Sequence, residues 1–178
     1  ETITKVGITS IFVTHDQEEA IEVADEIIIT NKGRIEQIGS PQEIYRAPKT
    51  PFSAEFMGQP QRIQNINQFK GFTHLDDSLH AVIRPENVSI TKLDEKFPHP
   101  TSLEEGVVEN TLFRGKEVEI TVRVHDTLIK GTRKVEEAPV QKNEKVNLCI
   151  YRAYTFQDEG EVTISGNANI ETVESVVI

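Results

Sequence analysis

The sequence is short of three features that mark large classes of proteins. It has no apolar run near the roughly 18 to 20 residues that a membrane-spanning helix needs. Lys and Arg number 19 against 29 Asp and Glu, a formal net charge of -10, and no segment concentrates the basic residues. Because neutralising phosphates requires a basic surface, this composition argues against general nucleic-acid binding. The single cysteine, Cys149, forms no intramolecular disulfide and no CxxC pattern, which fits a reducing cytoplasm.

Methionine is also scarce, and its position bears on how the chain is interpreted. The single methionine is Met57, and the sequence begins at Glu1 rather than at an initiator. Either the chain is processed at its amino end, or it is a piece of a longer protein. Its 178 residues, 37% hydrophobic and 27% charged, otherwise suit a soluble globular protein of one or two domains.

Residues 1–58 open with a strand pattern followed by a helix pattern. Residues 9–14 (TSIFVT) are a β-branched and aromatic run, typical of a buried strand. Asp16 then precedes Gln-Glu-Glu, and its carboxylate can accept a hydrogen bond from a backbone N–H two or three residues later. The spacing predicts a helix over residues 17–24 with small side chains along one face.

A hairpin and two short helices follow. Residues 26–30 and 34–38 flank Asn-Lys-Gly, and Gly33 tolerates the positive φ of a tight turn. Two helix starts then combine a capping hydroxyl with a proline at the first helical position: Ser40-Pro41 and Thr50-Pro51. Gly58 ends the second helix and marks the predicted domain boundary. Residues 1–58 therefore have the character of an α/β unit.

Residues 59–178 have a different texture. Short alternating stretches are separated by Gly, Pro, Asn and Asp: 62–66, 80–83, 88–91, 106–112, 117–124, 127–129 and 145–150. Apolar residues in 117–124 alternate with polar ones, so one face is core and the other is solvated. The pattern predicts an all-β domain, a small barrel or a sandwich. Residues 94–101 are expected to be an exposed connection, and 176–178 either a last strand or a frayed end.

His15 is the candidate for chemistry among the residues of the first unit. It lies where a predicted buried strand ends and a capped helix begins, so its imidazole could donate to a phosphate oxygen and hold an attacking water. The alternative is a surface or packing histidine. The acidic residues beside it (Asp16, Glu18, Glu19 and Glu22) indicate a cap and a solvated helix face rather than a metal site, because no His or Cys partners accompany them.

A resemblance makes this junction more specific. The run VTHDQEEAIEVADEIIITNKGRIEQIGSPQEIYRAPKTPFSAEFMG, residues 13–58, is similar to the last part of the ATP-binding subunit of bacterial ABC importers for carbohydrate, sulfate, iron and polyamine. The segments AVIRPENVSI and GVVENTLFRGKEVEITVRV resemble the OB-like accessory (TOBE) domain of the same subunits. The resemblance implies an ABC nucleotide-binding domain remnant over residues 1–58 and an OB-like TOBE regulatory domain over 59–178.

The resemblance also implies a role for His15 and a set of partners. His15 corresponds to the switch histidine, which contacts the γ-phosphate of ATP, bound with Mg, and helps to align the attacking water. The parent would form a homodimer on the inner face of the cell membrane, bound to transmembrane permease subunits. Sulfate or thiosulfate is the favoured cargo, because VTHDQEEAIEVAD, GRIEQIGSP and RAPKTPFSAEFMG look most like sulfate-uptake subunits. Ferric iron, polyamine, molybdate and sugar remain alternatives.

Most of an ATP site is missing from the sequence. A P-loop needs G-x-x-x-x-G-K-[ST], but Gly115-Lys116 has Asn110 in place of the first Gly and Glu117 in place of the hydroxyl residue. No LSGGQ-like signature and no apolar strand ending in Asp-Glu are present. We therefore expect the chain alone neither to hydrolyse ATP nor to bind it tightly.

Arg84 has two interpretations that the sequence leaves open. A guanidinium before a Pro-fixed turn is suited to an anion site or an interface, whereas the simpler interpretation is a salt bridge with Glu86. An oxyanion-sensing module would need some of Arg84, Lys116 and Arg123 to converge, whereas a purely structural dimerisation module would need an exposed apolar patch. The other histidines (His74, His80, His99 and His125) have no ligand-like spacing, and no metal is predicted.

Overall fold

The computed structural model describes residues 9–158 and 160–170. The helices are α1 (Gln17–Val23), α2 (Pro41–Arg46) and α3 (Pro51–Phe56). The strands are β1 (Ile27–Asn31), β2 (Arg34–Gly39), β3 (Gln61–Gln64), β4 (His80–Ile83), β5 (Val88–Lys92), β6 (Glu104–Phe113), β7 (Glu117–Val124), β8 (Thr127–Lys134), β9 (Lys145–Ile150), β10 (Arg152–Phe156) and β11 (Thr163–Gly166). The predicted end at residues 176–178 lies outside the described part.

The amino-terminal unit is a β-hairpin covered by three short helices. Strands β1 and β2 pair antiparallel, and the buried Ile27 and Ile29 of β1 pack with Ile44 and Met57 in a small apolar cluster. The predicted helix starts are confirmed. Ser40 caps α2 with a complete capping box, and Thr50 caps α3, each with a proline in the first turn.

A closed five-stranded barrel forms the centre of the fold, with neighbouring strands in the order β5-β8-β7-β6-β9. All contacts are antiparallel except the one between β5 and β8, which are parallel. Gly131 makes this closure possible, because a Cβ there would lie 2.9 Å from the carbonyl oxygen of Val88. The fold class is confirmed: a mixed chain with a small α/β unit and an OB-like β-barrel.

A second sheet packs beside the barrel and is built from strands that flank it in sequence. Its order is β11-β10-β4-β3, with every pair antiparallel. Buried residues of this sheet and its following turns, such as Ile63, Phe69 and Ile83, belong to the same apolar cluster as the barrel interior. The sheet and the barrel therefore share one core.

The predicted strand over residues 9–14 is wrong. Residues 9–14 form no strand, and Ile11 and Val13 are 93% and 90% exposed. A buried parallel strand needs neighbours on both edges, and no strand among the described residues pairs with this segment. The segment is apolar in composition, but its burial depends on partner strands that the described residues do not provide.

The connection over residues 94–101 is only partly exposed. Leu93 and Asp94 face solvent, but Glu95 forms an ion pair with the buried Arg133 of β8, at 2.8 Å between Nη1 and Oε2. The Arg133 guanidinium also donates to the carbonyl oxygens of Ile90 and Ala138. This ion pair therefore ties the connection to the barrel at the point where β5 and β8 meet.

Candidate functional site

The turn that carries His15 is held by its neighbours and presents the imidazole to solvent. The Thr14 hydroxyl donates to a Glu19 carboxylate oxygen at 2.8 Å, and the Asp16 N–H donates to the Thr14 hydroxyl at 3.0 Å. The Glu19 N–H donates to the Asp16 carboxylate at 3.1 Å, which confirms Asp16 as the cap of α1. His15 itself is exposed, and no described residue hydrogen-bonds to its side chain.

The acidic residues around this turn form a solvated surface. Asp16, Glu18, Glu19 and Glu22 are all exposed, as expected for a cap and the outer face of a helix. Over residues 9–158 and 160–170, no three His, Cys, Asp or Glu side chains are grouped as metal ligands would be. Cys149 is buried in β9, and burial raises the pKa of its thiol to about 12, so it is a protonated core residue and no nucleophile.

The His15 turn can supply one contact to a phosphate and no more. An exposed imidazole can donate to a γ-phosphate oxygen or accept from a water that lies next to it. Phosphoryl transfer also needs groups that cradle the β- and γ-phosphates and hold the metal ion. None of the sequence motifs that provide those groups is present in residues 1–178.

Arg84 lies at a second place where distant parts of the chain meet. It is completely buried at the end of β4, and its guanidinium carbon lies 3.8 Å from the ring centre of Tyr45 and 4.6 Å from that of Tyr154. Its Nη1 donates to the backbone carbonyl of Tyr45 and, at 3.0 Å, to the Tyr154 hydroxyl. The guanidinium is thus sandwiched between two aromatic rings, a favourable cation–π arrangement.

The expected salt bridge between Arg84 and Glu86 is absent from the described ion pairs. The Tyr45 hydroxyl donates to the Glu86 carboxylate instead, and Tyr45 stands between the two charges. Burial, together with this hydrogen bond to a carboxylate, raises the pKa of the Tyr45 hydroxyl, so it remains a donor at neutral pH. The sequence predicts that the Arg84 guanidinium is held in place, but it does not predict the partners, which lie far away in the chain.

The three cations proposed for an oxyanion site do not form one. Arg84 is buried between the tyrosines, and Arg123 donates to the Glu109 carboxylate at 2.7 Å. Lys116 lies in the turn before β7, and Arg123 is seven residues further along that strand, a span of roughly 20 Å at the rise of an extended chain.

The sequence did not identify four residues that make key contacts in the structure: Tyr45, Tyr154, Glu95 and Arg133. Single aromatic or charged residues carry no spacing signal that would predict such contacts.

Comparison with known protein families identifies the kind of domain to which the barrel belongs. The TOBE domain family matches residues 81–154. The match begins in β4, includes the whole barrel and ends in β10. These residues form a TOBE domain. The closing strands and the buried Arg84 therefore both belong to the TOBE domain.

Curated relatives extend the similarity beyond the TOBE domain. Three are called spermidine/putrescine import ATP-binding protein PotA: one from Bacillus thuringiensis subsp. konkukian, 39% identical over 135 residues, one from Clostridium novyi, 35% over 153, and one from Protochlamydia amoebophila, 31% over 169. They cover 75%, 76% and 80% of this chain, but the chain spans only 37%, 42% and 45% of them. The resemblance to import ATP-binding subunits is thereby confirmed, and the sulfate type gains no support.

One of the solved structures that match shows only a faint likeness. The cytoplasmic molybdate-binding protein ModG is 15% identical, with a TM-score of 0.37 over 49% of this chain and 61% of its own. This likeness is too small to support an argument.

Within residues 9–158 and 160–170, the longest helix has seven residues, and none is long and apolar enough to cross a membrane.

Proposed function

We propose that this chain is the carboxyl-terminal part of the ATP-binding subunit of an ABC importer, in which His15 contacts the γ-phosphate of ATP. The similarity to import ATP-binding proteins, which extends beyond the TOBE domain to 80% of this chain in one relative, carries this proposal. The exposed imidazole on a hydrogen-bonded, capped turn supports it, because such a group can meet a nucleotide held by other parts of the subunit. Gly58 is the proposed boundary between the two units.

The cargo that the relatives' names favour is a polyamine. All three relatives described above carry the name of a spermidine/putrescine import protein. The sulfate or thiosulfate preference drawn from sequence segments has no comparable support, and polyamine is one of the alternatives that the resemblance left open. The subunit would act with permease subunits at the inner face of the membrane and as a homodimer.

The 178-residue chain alone is proposed to be inactive. The His15 turn offers one phosphate contact, and the motifs that bind the remaining phosphates and Mg are absent from the sequence. Isothermal titration of the chain with MgATP should therefore show no binding at micromolar concentrations. Micromolar affinity would contradict this part of the proposal.

The role of His15 is tested in the longer subunit that contains this chain. His15→Ala should reduce kcat for ATP hydrolysis by about a hundredfold or more, in the range that loss of one transition-state donor costs. His74→Ala is the matched control, since His74 is also exposed and lies outside the proposed site. Steady-state phosphate release measures both variants. Near-normal turnover in His15→Ala would refute the assignment.

A further inference from the structure

A continuous set of contacts joins the buried Arg84 to the turn of His15. Its first contact is the sandwich in which the Arg84 guanidinium lies between the rings of Tyr45 and Tyr154. Tyr45 belongs to α2 in the amino-terminal unit, whereas Arg84 and Tyr154 belong to the TOBE domain. The Tyr45 hydroxyl makes a further contact to Glu86 of the same domain. One side chain of α2 is thus fixed by three residues of the TOBE domain.

The second contact lies between Tyr45 and Gly58. A Cβ built on Gly58 would lie 2.6 Å from Cε2 of the Tyr45 ring, so the ring lies directly against the backbone there. Gly58 also has φ +80, a conformation that favours glycine. The position of the Tyr45 ring and the path of the chain at Gly58 therefore depend on each other.

The third contact reaches the helix that follows His15. The Gly58 N–H donates to the side-chain oxygen of Gln17 at 2.9 Å. Gln17 is the first residue of α1, two positions after His15, and the intervening Asp16 caps that helix. A movement of Gly58 would therefore be transmitted to the start of α1 and to the turn that holds the imidazole.

A buried guanidinium such as that of Arg84 would be an unfavourable group if it only filled space in the core. Its Nε and Nη2 atoms are buried without a hydrogen-bond partner among the described residues, which is unfavourable for a charged group. An apolar side chain of similar volume would avoid this loss. The planar group, however, orients two facing rings at once, and a flexible aliphatic chain cannot do so. This geometry favours a role in fixing relative positions.

We propose that Arg84, Tyr45 and Gln17 are positioning residues through which the TOBE domain sets the placement of the His15 turn. This inference rests on the proposed function for its consequence in ATP hydrolysis, but the mechanical coupling is a property of this chain itself. Because coupling between two places is reciprocal, a change at either end should be detected at the other.

The test uses two-dimensional NMR and amide exchange on the 178-residue chain. Tyr45→Leu removes the ring, and should shift the backbone amide signals of His15, Gln17 and Gly58 and accelerate exchange of the Gly58 amide about tenfold, as expected for loss of a local hydrogen bond. Tyr45→Phe keeps the ring and should restore most of both. Amide signals of β7 serve as the check that the barrel stays folded.

A reciprocal variant and a matched control complete the design. Gln17→Ala should shift the signals of Arg84 and Tyr154, although it touches neither. Arg133→Lys alters another buried guanidinium, whose contacts lie at Glu95, Ile90 and Ala138, and should leave Gly58 and His15 unchanged. Unchanged His15 and Gly58 signals in Tyr45→Leu would overturn the coupling, as would equal shifts in Arg133→Lys.

The consequence for hydrolysis is measured separately in the longer subunit. Tyr45→Leu should lower kcat about tenfold with little change in KM for ATP, because the turn that carries the imidazole is displaced while the nucleotide is held elsewhere. If the NMR coupling holds but kcat is unchanged, the positioning role is overturned. If His15→Ala itself retains full turnover, the proposed function fails, while the NMR result still decides the coupling.

Discussion

Replacing Glu95 by Gln should make the barrel less stable at neutral pH and should remove part of its sensitivity to acid. Glu95 forms a two-point ion pair with Arg133, with both oxygen-to-nitrogen distances at 2.8 Å. The hydrogen bonds from Arg133 lower the pKa of the Glu95 carboxyl from 4.5 to about 2. Its partner is almost completely buried, so the substitution leaves a cation without its counter-charge.

The size of the effect follows from the pKa. Each unit of pKa difference between folded and unfolded chains corresponds to about 1.4 kcal/mol, so a carboxyl at about 2 instead of 4.5 stabilises the fold by about 3 kcal/mol at neutral pH. Because 32% of the Glu95 side chain is exposed, solvent screening reduces this to roughly 2 kcal/mol. A lowered carboxyl pKa stabilises above the unfolded value. The contribution is therefore complete above about pH 5 and is lost as the pH falls from 4.5 towards 2.

Urea unfolding at a series of pH values, followed by circular dichroism, measures this difference. We expect the native chain to exceed Glu95→Gln by roughly 2 kcal/mol at pH 7 and by almost nothing near pH 2. Glu105→Gln is the matched control, because Glu105 pairs with Lys145 at 3.1 Å on the surface and should contribute at most about 0.5 kcal/mol. A difference that is small at pH 7, or that does not shrink in acid, would refute the reasoning.

Two further substitutions test the packing of the barrel and of the segment that covers it. Gly131→Ala should lower the free energy of unfolding by about 1 to 3 kcal/mol, because the new methyl group meets the Val88 backbone where β5 and β8 close; urea midpoints unchanged from the native chain would contradict this. Asn167→Ala should lower the free energy of unfolding by about 2 kcal/mol, since the Asn167 amide donates to the carbonyl oxygens of Lys70 and Ile150, at 3.1 and 2.8 Å. Thermal unfolding measures the loss, and Asn167→Asp should not restore the stability, because a carboxylate cannot donate.

The alternation of apolar and polar residues predicted several strands correctly. The alternation in residues 117–124 predicts a half-buried strand, and β7 has the same bounds. β4 and β9 likewise match their predicted ranges. Strand β10 was missed because it is buried along nearly its whole length, Thr155 included, so its sequence RAYTF does not alternate. Strand β11 was missed as well, although most of its residues are exposed, so alternation alone does not find every strand.

Contacts between residues far apart in the chain could not be predicted from the sequence. Arg84 was recognised as a fixed cation, but its contacts to Tyr45 and Tyr154 depend on how β4, β10 and α2 come together. Residues 9–14 show the reverse limitation, since their apolar pattern is real and their burial is not. The structure shows His15 exposed on a turn that Thr14, Asp16 and Glu19 hold together, and the role of the imidazole stays a prediction.

The strand order also determines when this domain can fold during synthesis. Strand β5 is synthesised early but pairs with β9, and β4 pairs with β10, which is synthesised later still. Neither the barrel nor the four-stranded sheet can therefore be completed until almost all of the described chain has emerged from the ribosome. Closing such distant partners is slow, because the entropy of the intervening loop is lost before the contacts that reward it form. Until then, the edges of β4 and β5 are open to pairing with other chains. Expression at a reduced rate or temperature should therefore increase the soluble fraction.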